Sequence, residues 1–342
     1  MLKHWIIAGA IMMGSEALTA QTAPAYVPRA VTVADTATYL TRTGEVQITG
    51  NDGWEAMVSQ FDALFLKTHP GFKRGFHPVL KGSSVAIPAL EAGTSAFAPM
   101  GRAMWEQDRA SFRRMHGYDP LDVRIGYDAF GPRVGRKSPP GIYVNKSNPL
   151  KGLTVEQVKR VLTQGAKAGE VSRWGQLGVN GKWANRVIHV YGLDPSSGGS
   201  ASFRAEFLDD KPLTSRLEIQ PKPVDAIKAV AEDPYGIGLL GFVDATTISP
   251  DARMLPIASE EGQPFTLPTY EAVSADRYPF AAYLHMYLNR EPGKPIDPFV
   301  QEYLRMVLSA EGQAIIAAQK DTEEGYVPLA PALIAEELKK LD

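Results

Sequence analysis

Short β-branched runs alternate with amphipathic helical stripes along most of this chain, and two stretches rich in proline and glycine interrupt them. Residues 187–191 and 236–243 are runs of the first kind. The clearest stripe carries Trp54, Met57, Val58, Phe61, Leu64 and Phe65 at three- and four-residue spacing, which predicts a helix with one buried face. Such alternation predicts an α/β fold. The interruptions, at 131–141 and around 262–268, read as joints. Two separated joints predict a chain that crosses between two lobes twice, so that one lobe is built from both ends of the sequence.

Helix boundaries are marked by side chains able to bond free backbone groups. Asn51 or Asp52 can cap the first stripe, and residues 69–71, His-Pro-Gly, end it. Thr154 and Gln157 form a capping box ahead of Val155, Val158, Val161 and Leu162. Asp297-Pro298 opens a helix carrying Phe299, Val300, Tyr303, Leu304 and Val307. All of these stripes are read as core.

The start of the chain predicts export. Lys3 and His4 precede an apolar stretch from Trp5 to Met13, and Leu18-Thr19-Ala20 offers a cleavage site, so 1–20 reads as a signal peptide. That apolar run is too short to span a bilayer. Residues 21–44, rich in Thr, Ala and Pro without periodicity, read as a mobile leader. The chain has no cysteine, which excludes a disulfide scaffold, thiolate ligands, a thiol nucleophile and a lipid-bearing cysteine. A soluble periplasmic protein fits, with full secretion as the other destination. The formal net charge of −2 supplies no global field for nucleic acid, so any anion site must be built locally.

Three places join small polar residues to an expected helix start: 50–54, 81–90 and 194–203. A helix start presents unpaired backbone N–H groups and the positive end of the dipole, which favour an anion. Glycine admits close approach of the backbone, and serine hydroxyls add donors. Taken singly, each reads as a helix cap. Their order and surroundings add more.

Residues 48–52 (Ile-Thr-Gly-Asn-Asp), 81–84 (Lys-Gly-Ser-Ser) running on to Leu90, 92–94 (Ala-Gly-Thr) and 98–100 (Ala-Pro-Met) resemble the first lobe of PstS-like phosphate-binding proteins, the solute receptors of ABC importers. Residues 143–150 with Leu153, Thr154, Gln157 and Val158 resemble that family's entry into its second lobe. Residues 191–199 resemble its Ser-Gly-Thr loop, and 236–238, 278–280, 308–313 and 325–329 resemble its return. The resemblance covers about 46–329 in consistent order.

It implies a two-lobed periplasmic binding protein-like fold, each lobe a mixed, mainly parallel sheet flanked by helices, with a two-stranded hinge. Lobe 1 would comprise 45–142 and 276–342, and lobe 2 would comprise 143–275. The implied ligand contacts are Asn51, Asp52 and Gly53, then Ser83 and Ser84, then Ser197, Gly198 and Gly199, with Ser200 adding a donor. The implied ligand is phosphate or a related oxyanion. The implied partner is an ABC permease of the inner membrane, served by a monomer with no cofactor or metal.

Two departures qualify the ligand. The family's arginine four residues before the loop serine is here Leu193, which removes a bidentate oxyanion partner. The family's aspartate that accepts the proton of hydrogen phosphate is here Gly101. Arg102 follows, and is read either as reaching into the cleft to restore positive charge or as a solvated residue at the next helix start. Three readings follow: capture of phosphate, capture of a different small anion, or an exported interaction protein that kept the fold without tight binding. An enzyme is not expected. There is no Gly-x-Ser-x-Gly elbow, no His-x-x-x-His pair and no phosphate-cradling Gly-x-x-x-x-Gly-Lys loop.

Overall fold

The computed structural model describes residues 23–342. The signal peptide expected over 1–20 lies outside the described residues. The chain enters its first lobe with β1 (Val46–Gly50), followed by α1 (Glu55–Thr68), β2 (Phe76–Leu80), α2 (Ala86–Glu91), β3 (Ala98–Met100), α3 (Glu106–His116) and β4 (Leu121–Tyr127). β1 and β2 pair in parallel. β1 also meets the β3 edge, through Ala96 N–H to the Gln47 carbonyl at 3.0 Å and Asn51 N–H to the Pro99 carbonyl at 2.9 Å.

The second lobe runs through β5 (Gly141–Asn145), β6 (Leu153–Thr154), α4 (Val155–Leu162), β7 (His189–Gly192), α5 (Gly198–Phe207), β8 (Leu217–Ile219), α6 (Pro223–Glu232), β9 (Gly236–Leu240), β10 (Ala252–Leu255) and β11 (Ile257–Ala258). Its main sheet has the order β10-β5-β9-β7-β8. Thr154 and Gln157 cap α4 reciprocally, because their side chains satisfy backbone N–H groups that the helix itself leaves free. The chain then returns through α7 (Tyr270–Ser274), β12 (Tyr283–Leu288), α8 (Pro298–Val307), α9 (Ala310–Ala317), β13 (Val327–Pro328) and α10 (Pro331–Lys339). β12 inserts between β4 and β3 in the sheet β13-β4-β12-β3, so the last part of the chain completes a sheet begun by the first.

Three details differ from expectation. The sheets are mixed, but antiparallel pairing has the larger share: among the described residues four strand pairs are parallel and five antiparallel. The returning strand β12 runs against both of its neighbours, which sequence runs alone do not reveal. The lobes are joined by irregular crossings rather than a two-stranded hinge. Those segments contain Pro132, Pro139, Pro140, Pro268 and Pro279, which lack the N–H a ladder needs.

The third difference is the leader. Its described part, residues 23–44, is irregular chain held against the first lobe. Glu302, buried in α8, accepts from Tyr26 Oη at 2.7 Å and from Arg29 N–H at 2.9 Å. Ala310 N–H donates to the Pro24 carbonyl at 2.8 Å. Such contacts follow no period, so the segment looked free in sequence.

The first-lobe core sits where α1 meets α8. Met57, Val58, Phe61 and Phe65 are buried along α1, and Phe65 packs edge-on to Phe299 with ring centroids 5.4 Å apart. Each such side chain contributes roughly 1.5–3 kcal/mol on burial. Asp62 shares this interface and accepts from Tyr303 Oη at 2.7 Å. Burial pushes its carboxyl up to about 7, only partly opposed by that hydrogen bond. A raised folded-state value means that folding takes up a proton here. This stabilisation is whole below about pH 4 and is lost as pH rises through about 7. Asp62→Asn, which keeps an acceptor for Tyr303, is expected to raise the melting temperature at pH 8 by at least about 2 °C and to change it little at pH 4, measured by calorimetry.

Candidate functional site

Three loops of the first lobe meet at one hydroxyl. Asn51 caps the short 3-10 turn Asp52–Trp54, its Oδ1 accepting from Gly53 N–H at 2.9 Å. Its Nδ2 donates to Ser83 Oγ at 2.9 Å, and Gly101 N–H donates to the same oxygen at 3.2 Å. A hydroxyl oxygen has two lone pairs. With both accepting, Ser83 still has its own hydrogen to donate into the space beyond. The close approach depends on Gly50, where a Cβ would fall 2.3 Å from the Pro99 carbonyl oxygen.

The second lobe answers with α5. Ser197 is its N-cap, accepting from Ser200 N–H at 3.4 Å and donating its hydroxyl to Ser200 Oγ at 3.1 Å. The Gly198 and Gly199 N–H groups lie in the first turn, where no intrahelical acceptor exists. A Cβ on Gly199 would meet nothing within 4 Å, so the residue stands at open space.

The space between is a cleft of about 450 Å³ lined by both lobes. It gathers Asn51, Ser83, Ser84 and Arg102 from one side and Ser197, Gly198, Gly199 and Ser200 from the other. Asp52 and Gly53 do not line it. The Gly53 N–H is used by Asn51, and a Cβ on Gly53 would press on Glu324 and Tyr326, each 2.9 Å away, because the 3-10 turn rotates these residues away from the cleft.

Arg102 lines the cleft rather than lying free in solvent. Its guanidinium stacks 3.7 Å over Trp105, and Nη1 is bound to Asp108 Oδ2 at 2.7 Å. Trp105 Nε1 in turn donates to Ser202 Oγ of α5 at 3.1 Å, a direct bond between lobes. Ser202 is thereby part of the cleft. Leu193 lies on an apolar wall with Leu239 and Phe242.

Sequence reasoning missed two carboxyls. Asp128 and Glu206 both line the cleft, and burial pushes each up to about 7. Neither belongs to a motif. The available signal was the position of Asp128 at the end of a strand-like run just before the proline-rich joint. Among the described residues no group of three or more His, Cys, Asp or Glu is placed to hold a metal ion. No helix among them is long and apolar enough to cross a membrane.

A family model described as a PBP superfamily domain matches residues 35–311. The chain belongs to the PBP superfamily. Within it, the phosphate-binding protein PstS of Pseudomonas aeruginosa, in two strains, is 29% identical over 300 residues, covering 87% of this chain and 86% of that protein. The solved PstS of Borrelia burgdorferi aligns with a TM-score of 0.53 and 18% identity over 83% of this chain and 98% of that one, which is a likeness of fold. In this PBP superfamily chain the loops that align the cleft depend on tight packing behind it. Gly50→Ala is expected to separate β1 from β3 and cost about 2 kcal/mol or more of stability, read from urea unfolding.

Proposed function

We propose that this chain is an extracytoplasmic solute-binding protein that captures inorganic phosphate, or a similar oxyanion, between its lobes and delivers it to an ABC importer. The observation that carries this reading is the convergence of donors from both lobes on one cleft: the Ser83 hydroxyl, the Gly198 and Gly199 amides and the Arg102 guanidinium. The similarity to phosphate-binding proteins over most of the chain supports it. Neutral donors fixed by caps hold a desolvated anion with little formal charge, each such bond contributing roughly 1.5–3 kcal/mol. Closure brings the α5 donors onto an anion first met by the other lobe, and the Trp105–Ser202 bond holds the lobes together.

In this reading the site residues are Asn51, Ser83, Ser84, Arg102, Ser197, Gly198, Gly199 and Ser200. Asn51 acts by positioning Ser83. The role is capture without chemistry, by a monomer in the periplasm that docks on an inner-membrane permease. A second reading, a different small oxyanion, is favoured by one observation. Leu193 sets an apolar side chain on the cleft wall where relatives of the PstS type are expected to carry an arginine.

Calorimetric titration of phosphate-free protein is expected to give a Kd at or below about 1 μM for phosphate. Ser83→Ala and Arg102→Ala are each expected to weaken binding by about 10- to 100-fold. Tight sulfate binding with weak phosphate binding would move the assignment to the second reading. No heat and no thermal stabilisation with either anion at millimolar concentration would sink both.

A further inference from the structure

The cleft has an apolar side that anion capture does not account for. β7 and β9 run in parallel, and their carboxyl ends open into it at Leu193 and at Leu239, Gly241 and Phe242. Ligands of α/β sheets collect at that edge. A Cβ on Gly192 would stand 3.7 Å from the Leu239 carbonyl oxygen, so the two strand ends lie side by side. Leu193 comes four residues before Ser197, which makes this wall continuous with the turn that carries the Gly198 and Gly199 amides. Pro140 extends the wall from the crossing segment.

Phe242 is the most telling member. Its φ of 56° lies in the left-handed region that a bulky side chain avoids. Two bonds hold it there: Phe242 N–H donates to the Ser138 carbonyl at 3.1 Å, and Val243 N–H donates to Ser138 Oγ at 2.8 Å. Glycine would adopt this backbone without strain, so the turn itself does not call for an aromatic ring. Yet the ring is present, lines the cleft and stays 55% exposed. Strained residues of this kind collect at ligand clamps. The cleft measures about 450 Å³ with the lobes already bonded through Trp105 and Ser202 at 3.1 Å. Pockets that enclose organic ligands span roughly 300–1,000 Å³, and a single tetrahedral anion fills only a small part of such a space.

We propose, resting on the oxyanion reading above, that the preferred ligand is a phosphate monoester with one compact apolar substituent. Its phosphoryl oxygens take the Ser83 hydroxyl, the Arg102 guanidinium and the α5 amides, and its substituent lies against Leu193, Leu239 and Phe242. The organic group turns the exposed wall into contact area, and water leaves both surfaces as they meet. A bare tetrahedral anion gains nothing there, because none of these side chains can hydrogen-bond an oxygen turned towards it. In a monoester the ester oxygen carries no formal charge. The face of the ligand that meets the wall therefore needs no donor, and the three terminal oxygens remain for the polar side.

The test is calorimetric titration of the phosphate-free wild-type chain, Phe242→Gly and Leu193→Arg with phenyl phosphate and with inorganic phosphate at a single pH. The wild type is expected to bind phenyl phosphate at least about tenfold more tightly than inorganic phosphate. Its heat-capacity change with phenyl phosphate is expected to be the more negative, the mark of apolar surface buried on binding. Phe242→Gly, which suits the local backbone, is expected to weaken phenyl phosphate by about tenfold and to leave inorganic phosphate within about twofold. Leu193→Arg, which sets a cation in the wall, is expected to invert the preference. The wild-type pair of titrations needs no variant, so it decides the matter even if a variant folds poorly. Inorganic phosphate bound as tightly as phenyl phosphate by the wild type, or equal weakening of both in a folded Phe242→Gly, would overturn this inference alone. Failure of the wild type to bind either ligand would overturn the oxyanion reading and this inference with it.

Discussion

The backbone bond from Asp128 N–H to the Ala282 carbonyl ties the two crossings where each leaves or enters the first lobe. Much else follows from this point. It sets β4 beside the returning β12, so that a sheet begun near residue 98 is completed near residue 328. Gly131 N–H to the Pro268 carbonyl and Tyr278 Oη to the Pro140 carbonyl, both at 2.8 Å, bind the crossings further along. These are isolated bonds between proline-rich segments, without the continuous ladder of a strand pair. Such a joint keeps its ends together while leaving dihedral freedom between bonds, as hinge closure requires.

In the proposed reading the cleft would hold an anion with little charge. Its donors are a hydroxyl whose acceptor sites are already filled and amides at a helix start, all oriented before a ligand arrives. Against them stand Asp128 and Glu206, with Arg102 as the sole cation lining the cleft among the described residues. Arg102 is itself fixed by Asp108 and Trp105, so the same residues that steady the positive charge also reach across to Ser202 and the other lobe.

Much of the fold was legible because helices and strands have local signatures. The α1 stripe, the Thr154–Gln157 cap and the Asp297 cap of α8 each rest on residues three or four apart. Strand direction and the packing of residues 23–44 were not legible, since they depend on partners such as Glu302 more than two hundred residues away. In the site, Ser83, Ser84 and the 197–200 loop were visible as small polar residues at helix starts, while Arg102 was left between a cleft and a solvated reading, and all of them line the cleft. Asp52 and Gly53 share that local pattern, yet a single 3-10 turn directs them elsewhere.

What the sequence determined by itself was the set of local elements, the two joints between them and the three donor-rich helix starts, because each of these is set by neighbours along the chain. Only the tertiary structure decided which donors face one another and which carboxyls join them. Asp128 carries no motif and acquires its place from the Ala282 bond; Glu206 acquires its place from accepting Tyr283 N–H at 3.1 Å. Both are raised by burial, and burial belongs to the assembled lobes rather than to any segment.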